Sequence, residues 1–333
     1  MGRFLESEKQ RLAAFKDYKA YFSSQSREDG LFQGKMRSFC LPQALADENL
    51  FPEIRRNAVE SFDRLGIKWH QGVGRGPSNH LCDSQVCCVN FLMPFHDRPE
   101  ELSELLKSHY PEITSILPIK DEGCVAFEWI GADNYLGERA PKSGNRSRGA
   151  NCTSADAIVL FERADSLRQA VLIEWKYTES YGKTDLTIAP SGTDRTAIYR
   201  HLYEAEDCPI NKTQLPSFEF LFFEPFYQLM RQQFLAHQME KHKELGADIV
   251  STLHITPDRN LDFKKVTSPG LAHLGDSPTH IWSRLVNPPD RYISLSTETL
   301  FGPFLQHPPE SMHPWAKYLL ARFPWLSQDD DLC

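Results

Sequence analysis

No stretch of the sequence comes near the roughly eighteen consecutive apolar residues that a membrane-crossing helix needs, so no span of a bilayer is expected. Basic charge is also scarce: 37 Lys and Arg stand against 45 Asp and Glu, a formal net charge of −8. That balance argues against a protein that coats nucleic acid non-specifically, so any nucleic-acid contact must use a local basic surface. The eight cysteines include no Cys-x-x-Cys pair and none of the regular spacing of a disulfide framework. They read as reduced thiols of a cytosolic protein. The opening residues Met1 to Lys9 are charged and lack the apolar run of a secretory signal, which makes the cytoplasm the expected location. Gly72-Val73-Gly74-Arg75-Gly76 lacks the following Lys-Ser/Thr of a phosphate loop and has no strand before it, so it reads as a connection. No internal repeat and no clear inter-domain linker is present.

What the sequence does hold is concentrated between Thr153 and Tyr177. Two short apolar segments, Ala155 to Phe161 and Ala170 to Tyr177, are rich in β-branched and aromatic residues and separated by the polar stretch Glu162 to Gln169. This spacing predicts a β-hairpin. Alternation along the second strand puts Glu174 and Lys176 on one face and Ile173, Trp175 and Tyr177 on the other. Pairing the strands can bring Asp156 beside Glu174. Carboxylates and an ammonium in mid-sheet call for a partner or a metal, because such groups are seldom buried alone. A hard cation such as Mg²⁺ needs only one or two protein carboxylates and fills its remaining positions with water and phosphate oxygens. Lys176, next along the same face, is placed to hold or deprotonate the attacking water.

The arrangement resembles the PD-(D/E)xK, or restriction-endonuclease-like, nuclease superfamily, which carries an Asp at the start of one strand and Glu-x-Lys on the next. Asp156 and Glu174-Trp175-Lys176 match those positions, although Ala155 replaces the proline of the motif's name. The resemblance implies an α/β fold (α+β) with a central mixed sheet in αβββαβ order flanked by helices. It also implies a hydrolase, a Mg²⁺-dependent deoxyribonuclease acting as an endonuclease, in which Mn²⁺ can substitute for Mg²⁺. Asp156 and Glu174 would be the metal ligands and Lys176 the catalytic cation. Two readings from other classes stay open: a non-catalytic nucleic-acid-binding or scaffold protein on the same fold, and a structural Glu-Lys pair in an unrelated α/β protein.

The rest of the chain fits the same order. Residues 1–77 read as a helical N-terminal extension, with Arg11 to Phe22 and Asn49 to Leu65 helical. A helix from Leu81 to about Phe95 opens the core at residues 78–256, with Asp83 and Gln85 as its polar candidates. Gln85 faces either the active site or a hydrogen-bonded helix neighbour. A polar helix is expected between Arg98 and Pro118. The strand Gly123 to Gly131 carries Glu128, an additional site acid or a structural carboxylate paired with an arginine. Lys142, Arg146 and Arg148 sit in what reads as an exposed, basic loop. Beside the site they would supply phosphate contacts to nucleic acid, while an ordinary solvated loop is the alternative. A helix from about Asp194 to Glu206, a long helix from Tyr227 to Leu245 and a strand from Ala247 to Ile255 complete the order. Relatives often present polar residues from this long helix to the scissile phosphate, which puts Gln228 and Arg231 among the candidates. Residues 257–333 read as a C-terminal extension of the same domain, with helices at Thr279 to Val286 and Pro314 to Phe323, a peripheral strand at Asp290 to Ser296 and a solvated acidic tail.

Overall fold

The hairpin that anchors the sequence reading is the spine of the sheet. In the computed structural model, which describes residues 2–138, 146–149 and 152–327, β5 (Ala155–Arg163) and β6 (Arg168–Trp175) pair antiparallel with Ala157 opposite Ile173. On β6, Val171, Ile173 and Trp175 enter one core, while Ala170 and Leu172 enter a second on the other face. A strand covered on both faces must be apolar on both, which is why this segment reads as a continuous apolar run.

Before the hairpin come α1 (Arg3–Phe15), a small ribbon of β1 (Gly30–Phe32) and β2 (Lys35–Arg37), then α2 (Arg55–Leu65), α3 (Ser84–Leu92), α4 (Pro99–Lys107), β3 (Ile113–Leu117) and β4 (Val125–Trp129). After it follow α5 (Arg195–Glu204), α6 (Phe226–Lys241), β7 (Ile249–Thr256), α7 (Pro278–Leu285), β8 (Tyr292–Ser296), α8 (Thr297–Gln306) and α9 (His313–Arg322). The main sheet runs β3-β5-β6-β7-β8, and β4 pairs with the other end of β5. β5 and β6 are antiparallel, while β6-β7 and β7-β8 are parallel. The sheet is therefore mixed, flanked by helices, as a restriction-endonuclease-like fold requires.

Leu12 of α1, Phe62 of α2, Leu102 of α4, Phe301 of α8 and Trp315 of α9 share the first core with α3. Tyr199 of α5, Phe234 of α6 and Trp282 of α7 line the second. α3 is buried all round, Gln85 through Leu92, as expected of a helix sealed between sheet and outer helices. The C-terminal region is tied in by Arg322, fully buried and hydrogen-bonded to the Asn49 and Leu81 carbonyls, the Asn49 side chain and the Tyr318 hydroxyl.

Three sequence expectations need revision. The polar helix expected up to Pro118 ends at Lys107, because Ile113 and Ile116 belong to β3 and are drawn into the first core. The first 70 residues are less helical than their pattern implies, with α1 stopping at Phe15 and the β1-β2 ribbon interrupting the sequence. The strand ending at Ser296 is peripheral only in being an edge: it belongs to the main sheet itself, parallel to β7.

Candidate active site

Register places the carboxylates. With Ala157 opposite Ile173, Asp156 comes opposite Glu174, and the Trp175 amide donates to the Asp156 carboxylate at 2.7 Å. Glu128 falls between the pairs Phe127–Ala157 and Trp129–Ala155, on the other side of Asp156. On the parallel side Glu174 pairs with His254, and His254 with Ser294. One row thus crosses five strands: Glu128, Asp156, Glu174, His254, Ser294.

At Glu128 the backbone takes a φ of 50°, a left-handed conformation costly for a residue with a Cβ. Alternation breaks there, so that Ala126 and Trp129 both pack into the second core. The Glu128 carboxylate is held from two sides, by Gln85 Nε2 of α3 at 2.6 Å and Ser154 Oγ at 2.8 Å. Gln85 is itself fixed, accepting from the His70 amide at 2.7 Å and donating to the Lys68 carbonyl at 3.2 Å. Gln85 therefore faces Glu128, and Asp83 instead caps α3 by accepting from the Val86 amide.

Glu174 is almost fully buried, 1 % exposed. One carboxylate oxygen meets the Lys176 ammonium, and the other accepts from Gln232 Nε2, which also donates to the Ser154 carbonyl at 3.1 Å. Burial by itself would lower Lys176, but the surrounding Glu174, Tyr181, Asp156 and Glu179 outweigh it and hold the ammonium well above the ordinary lysine range. These neighbours favour the charged form of Lys176, a cation set against the carboxylates. Asp156 is pushed well above the usual carboxylate range, first by burial and then by Glu174 and Glu128, against the pull of Lys176 and the Trp175 amide. Glu128 is raised by burial and by Glu174, with its hydrogen bonds to Ser154 and Gln85 opposing. Three carboxyl groups face one ammonium, so their full ionisation would leave the site with more negative charge than its own cation balances.

Glu224, just before α6, adds a fourth acid to this neighbourhood. Its Oε2 is buried without a partner, and burial raises its carboxyl while Lys176 and Arg231 pull it down. His254 is fully enclosed, stacks on Phe263 at 5.1 Å, and has no partner at either ring nitrogen. Burial, with Lys176 nearby, pushes it down to about 3, so the ring is neutral. Sequence reasoning missed Glu224 and His254, whose proximity is created only by the folding of distant segments. Gln232 had a readable signal, since it sits one helical turn after Gln228 on α6.

The remaining candidates lie elsewhere. Arg148 makes a two-pronged pair with Glu122 at 2.7 and 2.8 Å and donates to the Glu128 and Phe127 carbonyls. Arg146 donates to the Ile130 and Gly131 carbonyls at 2.8 and 2.9 Å. Both arginines clamp β4 and its exit, so the expectation of loop cations held out for phosphate does not describe them: the backbone carbonyls and Glu122 outcompete solvent. Lys142 lies outside the described residues. Arg231 donates to Thr153 Oγ1 at 2.8 Å and pairs with Glu138 at 3.4 Å, which turns it into the wall behind the row. Gln228 is half-buried in the first turn of α6.

The donors here are carboxylate oxygens in surplus over positive charge, which fits a hard cation such as Mg²⁺ or Mn²⁺. Among the described residues no group of three His, Cys, Asp or Glu side chains is gathered to cage a metal. A cation at this row would rest on Asp156 and Glu174 and take its other ligands from water and substrate.

Also among the described residues, no helix is long and apolar enough to cross a membrane. A family model described as Restriction Endonuclease associating with ARP (REase-ARP) matches residues 10–323. No curated protein and no solved structure matches the chain.

Proposed function

The chain belongs to the family of restriction endonucleases associating with ARP, and from that premise we propose that it is a metal-dependent nuclease that hydrolyses phosphodiester bonds in DNA. The observation that carries this reading is the row itself: Asp156 and Glu174 opposite one another on paired strands, with a protonated Lys176 against Glu174. Asp156 and Glu174 would hold Mg²⁺, or Mn²⁺ in its place. When bound, such an ion polarises a phosphoryl oxygen and acidifies the attacking water.

The protein's own groups do the rest. Lys176, kept positive by its carboxylate neighbours, orients the water and stabilises the charge that builds on the phosphorus oxygens. Gln232 fixes one Glu174 oxygen and thereby the carboxylate plane. Gln85 and Ser154 hold Glu128 beside Asp156, where its charge strengthens the pull on a cation. Gln228, at the start of α6, remains a candidate for substrate contact, and Lys142 for a phosphate contact.

The test is incubation of the purified chain with supercoiled plasmid, linear duplex, single-stranded DNA and RNA, each with Mg²⁺, Mn²⁺ or a chelator. Metal-dependent nicking or linearisation of the plasmid supports an endonuclease. Tight DNA binding with no cleavage under any metal would favour the non-catalytic nucleic-acid-binding alternative.

A further inference from the structure

The stretch from Arg64 to Cys82 contains no Asp or Glu, in a chain whose net charge is −8. It holds the cations Arg64, Lys68 and Arg75 and a glycine at every second position from Gly72 to Gly76. In the fold it is the connection that leaves α2 and reaches α3. Gly74 takes a φ of 61°, and a Cβ at Gly72 would come within 2.5 Å of the Gly76 carbonyl, so the tight turn here needs glycine.

This loop is fastened to the carboxylate row through Gln85. The His70 amide donates to Gln85 Oε1 at 2.7 Å, and Gln85 Nε2 donates both to the Lys68 carbonyl at 3.2 Å and to Glu128 at 2.6 Å. The His70 amide therefore lies within about 8 Å of the Glu128 carboxylate. The Lys68 amide also donates to the Arg148 carbonyl at 3.1 Å. Backbone groups do all of this fastening, which leaves the side chains of Lys68 and Arg75 exposed.

Both cations line one concavity of about 380 Å³, together with Trp69 and Asp63. Among the described residues Lys68 has no ion-pair partner. Arg75 meets Asp63 at 3.4 Å, with 85 % and 53 % of the two side chains exposed. A pair so open to water is worth little, so Arg75 can exchange its carboxylate for a phosphate. Arg146 and Arg148 are turned onto backbone carbonyls and Glu122, whereas Lys68 and Arg75 face outward on the same side of the row.

Positive charge held outward beside a phosphodiester-cutting row is complementary to a nucleic-acid backbone. A strand with one phosphate at the row has others at axial steps of about 3.4 Å, so phosphates two or three nucleotides away come within reach of the loop. We propose that the loop from Gly66 to Gly76 grips the sugar-phosphate backbone of a DNA duplex beside the carboxylate row, with Lys68 and Arg75 each contacting a phosphate. Such contacts fix where the duplex lies without reading its sequence. The choice of partner rests on the nuclease reading, but binding is measured without cleavage.

The full chain, in chelator, is titrated with a fluorescent DNA duplex at a series of salt concentrations. Wild type is compared with Lys68→Gln/Arg75→Gln, which leaves the backbone contacts to Gln85 in place. A control, Lys107→Gln/Lys317→Gln, removes the same charge from exposed positions on α4 and α9. Melting curves establish that both are folded. Each lost phosphate contact lowers the slope of log affinity against log salt by about 0.9, so the loop variant should lose roughly 1.8 and bind about 10²-fold more weakly at low salt. The control should keep the wild-type slope. A loop variant with the wild-type slope overturns the proposal even where the wild type cuts plasmid, as does a control that loses as much or a wild type that binds no DNA. A wild type that holds DNA through this loop but never cleaves with Mg²⁺ or Mn²⁺ would sink the nuclease reading and leave the DNA-binding surface standing.

Discussion

Replacing Asp156 by Asn should make the metal-free protein more stable at alkaline pH, although it removes a proposed functional group. Asp156 lies directly across the β5-β6 ladder from Glu174, with Glu128 on its other side. At a cross-strand separation of about 5.5 Å and an effective dielectric of 20, the repulsion between two such charges is roughly 3 kcal/mol. Attraction to Lys176 offsets part of this, leaving about 1–2 kcal/mol of net penalty. The Trp175 amide keeps an acceptor, because the Asn side chain presents an oxygen at the same place. The sign follows from the raised carboxyl of Asp156. Its contribution to stability is complete below the unfolded value of about 4 and is lost as pH rises through the raised folded value. Wild type and Asp156→Asn should therefore melt alike near pH 4 and diverge as pH increases. With 333 residues at about 2.1 cal/mol/K each, 2 kcal/mol corresponds to a melting-temperature gain of about 3 °C. Thermal unfolding in chelator at pH 4, 6 and 8 reads it directly. A variant that melts below wild type at pH 8 would refute the claim of surplus negative charge. Added Mg²⁺ should raise the wild-type melting temperature and leave that of Asp156→Asn nearly unchanged.

Glu174→Ala should lose metal affinity and cleavage together, whereas Lys176→Met should keep or gain metal affinity while cleavage falls about 10²-fold; calorimetric titration and a gel assay on both variants separate the roles. Arg148→Ala should destabilise by about 3 kcal/mol, because it strands the buried Glu122 carboxylate and frees the Glu128 and Phe127 carbonyls. Denaturant unfolding checks this, and an unchanged midpoint would return Arg148 to the exposed basic loop expected from sequence. His254 is neutral in the fold and its value is depressed, so its contribution to stability is present above about 6.5 and lost as pH falls towards 3. His254→Leu should consequently flatten the loss of stability between pH 6.5 and 4, read by unfolding curves across that range.

Much of the site was legible because it is local. Alternation along β6 fixes the faces of Glu174 and Lys176, and the hairpin spacing puts Asp156 opposite Glu174, so three residues needed only period-two patterning and one turn. Gln85 was legible as a buried polar group on an apolar helix, although its partner was not. β3 was hidden because its five residues, with Thr114 and Ser115 inside, follow directly on the helical pattern of α4. β8 was readable as a strand but not as a member of the main sheet, since parallel pairing with β7 is a long-range event. The basic loop misled because composition reports charge and not partners: Arg148 meets a β4 carbonyl and Glu122, and Arg146 the carbonyls just after β4, which the sequence leaves some 15 to 26 residues away. Glu224 and His254 carry no local signature at all, and they join the row only when the approach to α6 and the strand β7 fold against β6.

Phosphodiester cleavage is proposed for the row of Asp156 and Glu174 with the Lys176 cation. The most direct measurement is the initial rate of supercoiled plasmid cleavage in Mg²⁺ by wild type, Asp156→Asn and Lys176→Met, each shown to be folded by its melting curve. Wild type should cleave in a metal-dependent manner abolished by chelator, and both variants should lose about 10²-fold or more. Cleavage by either folded variant at the wild-type rate would contradict it.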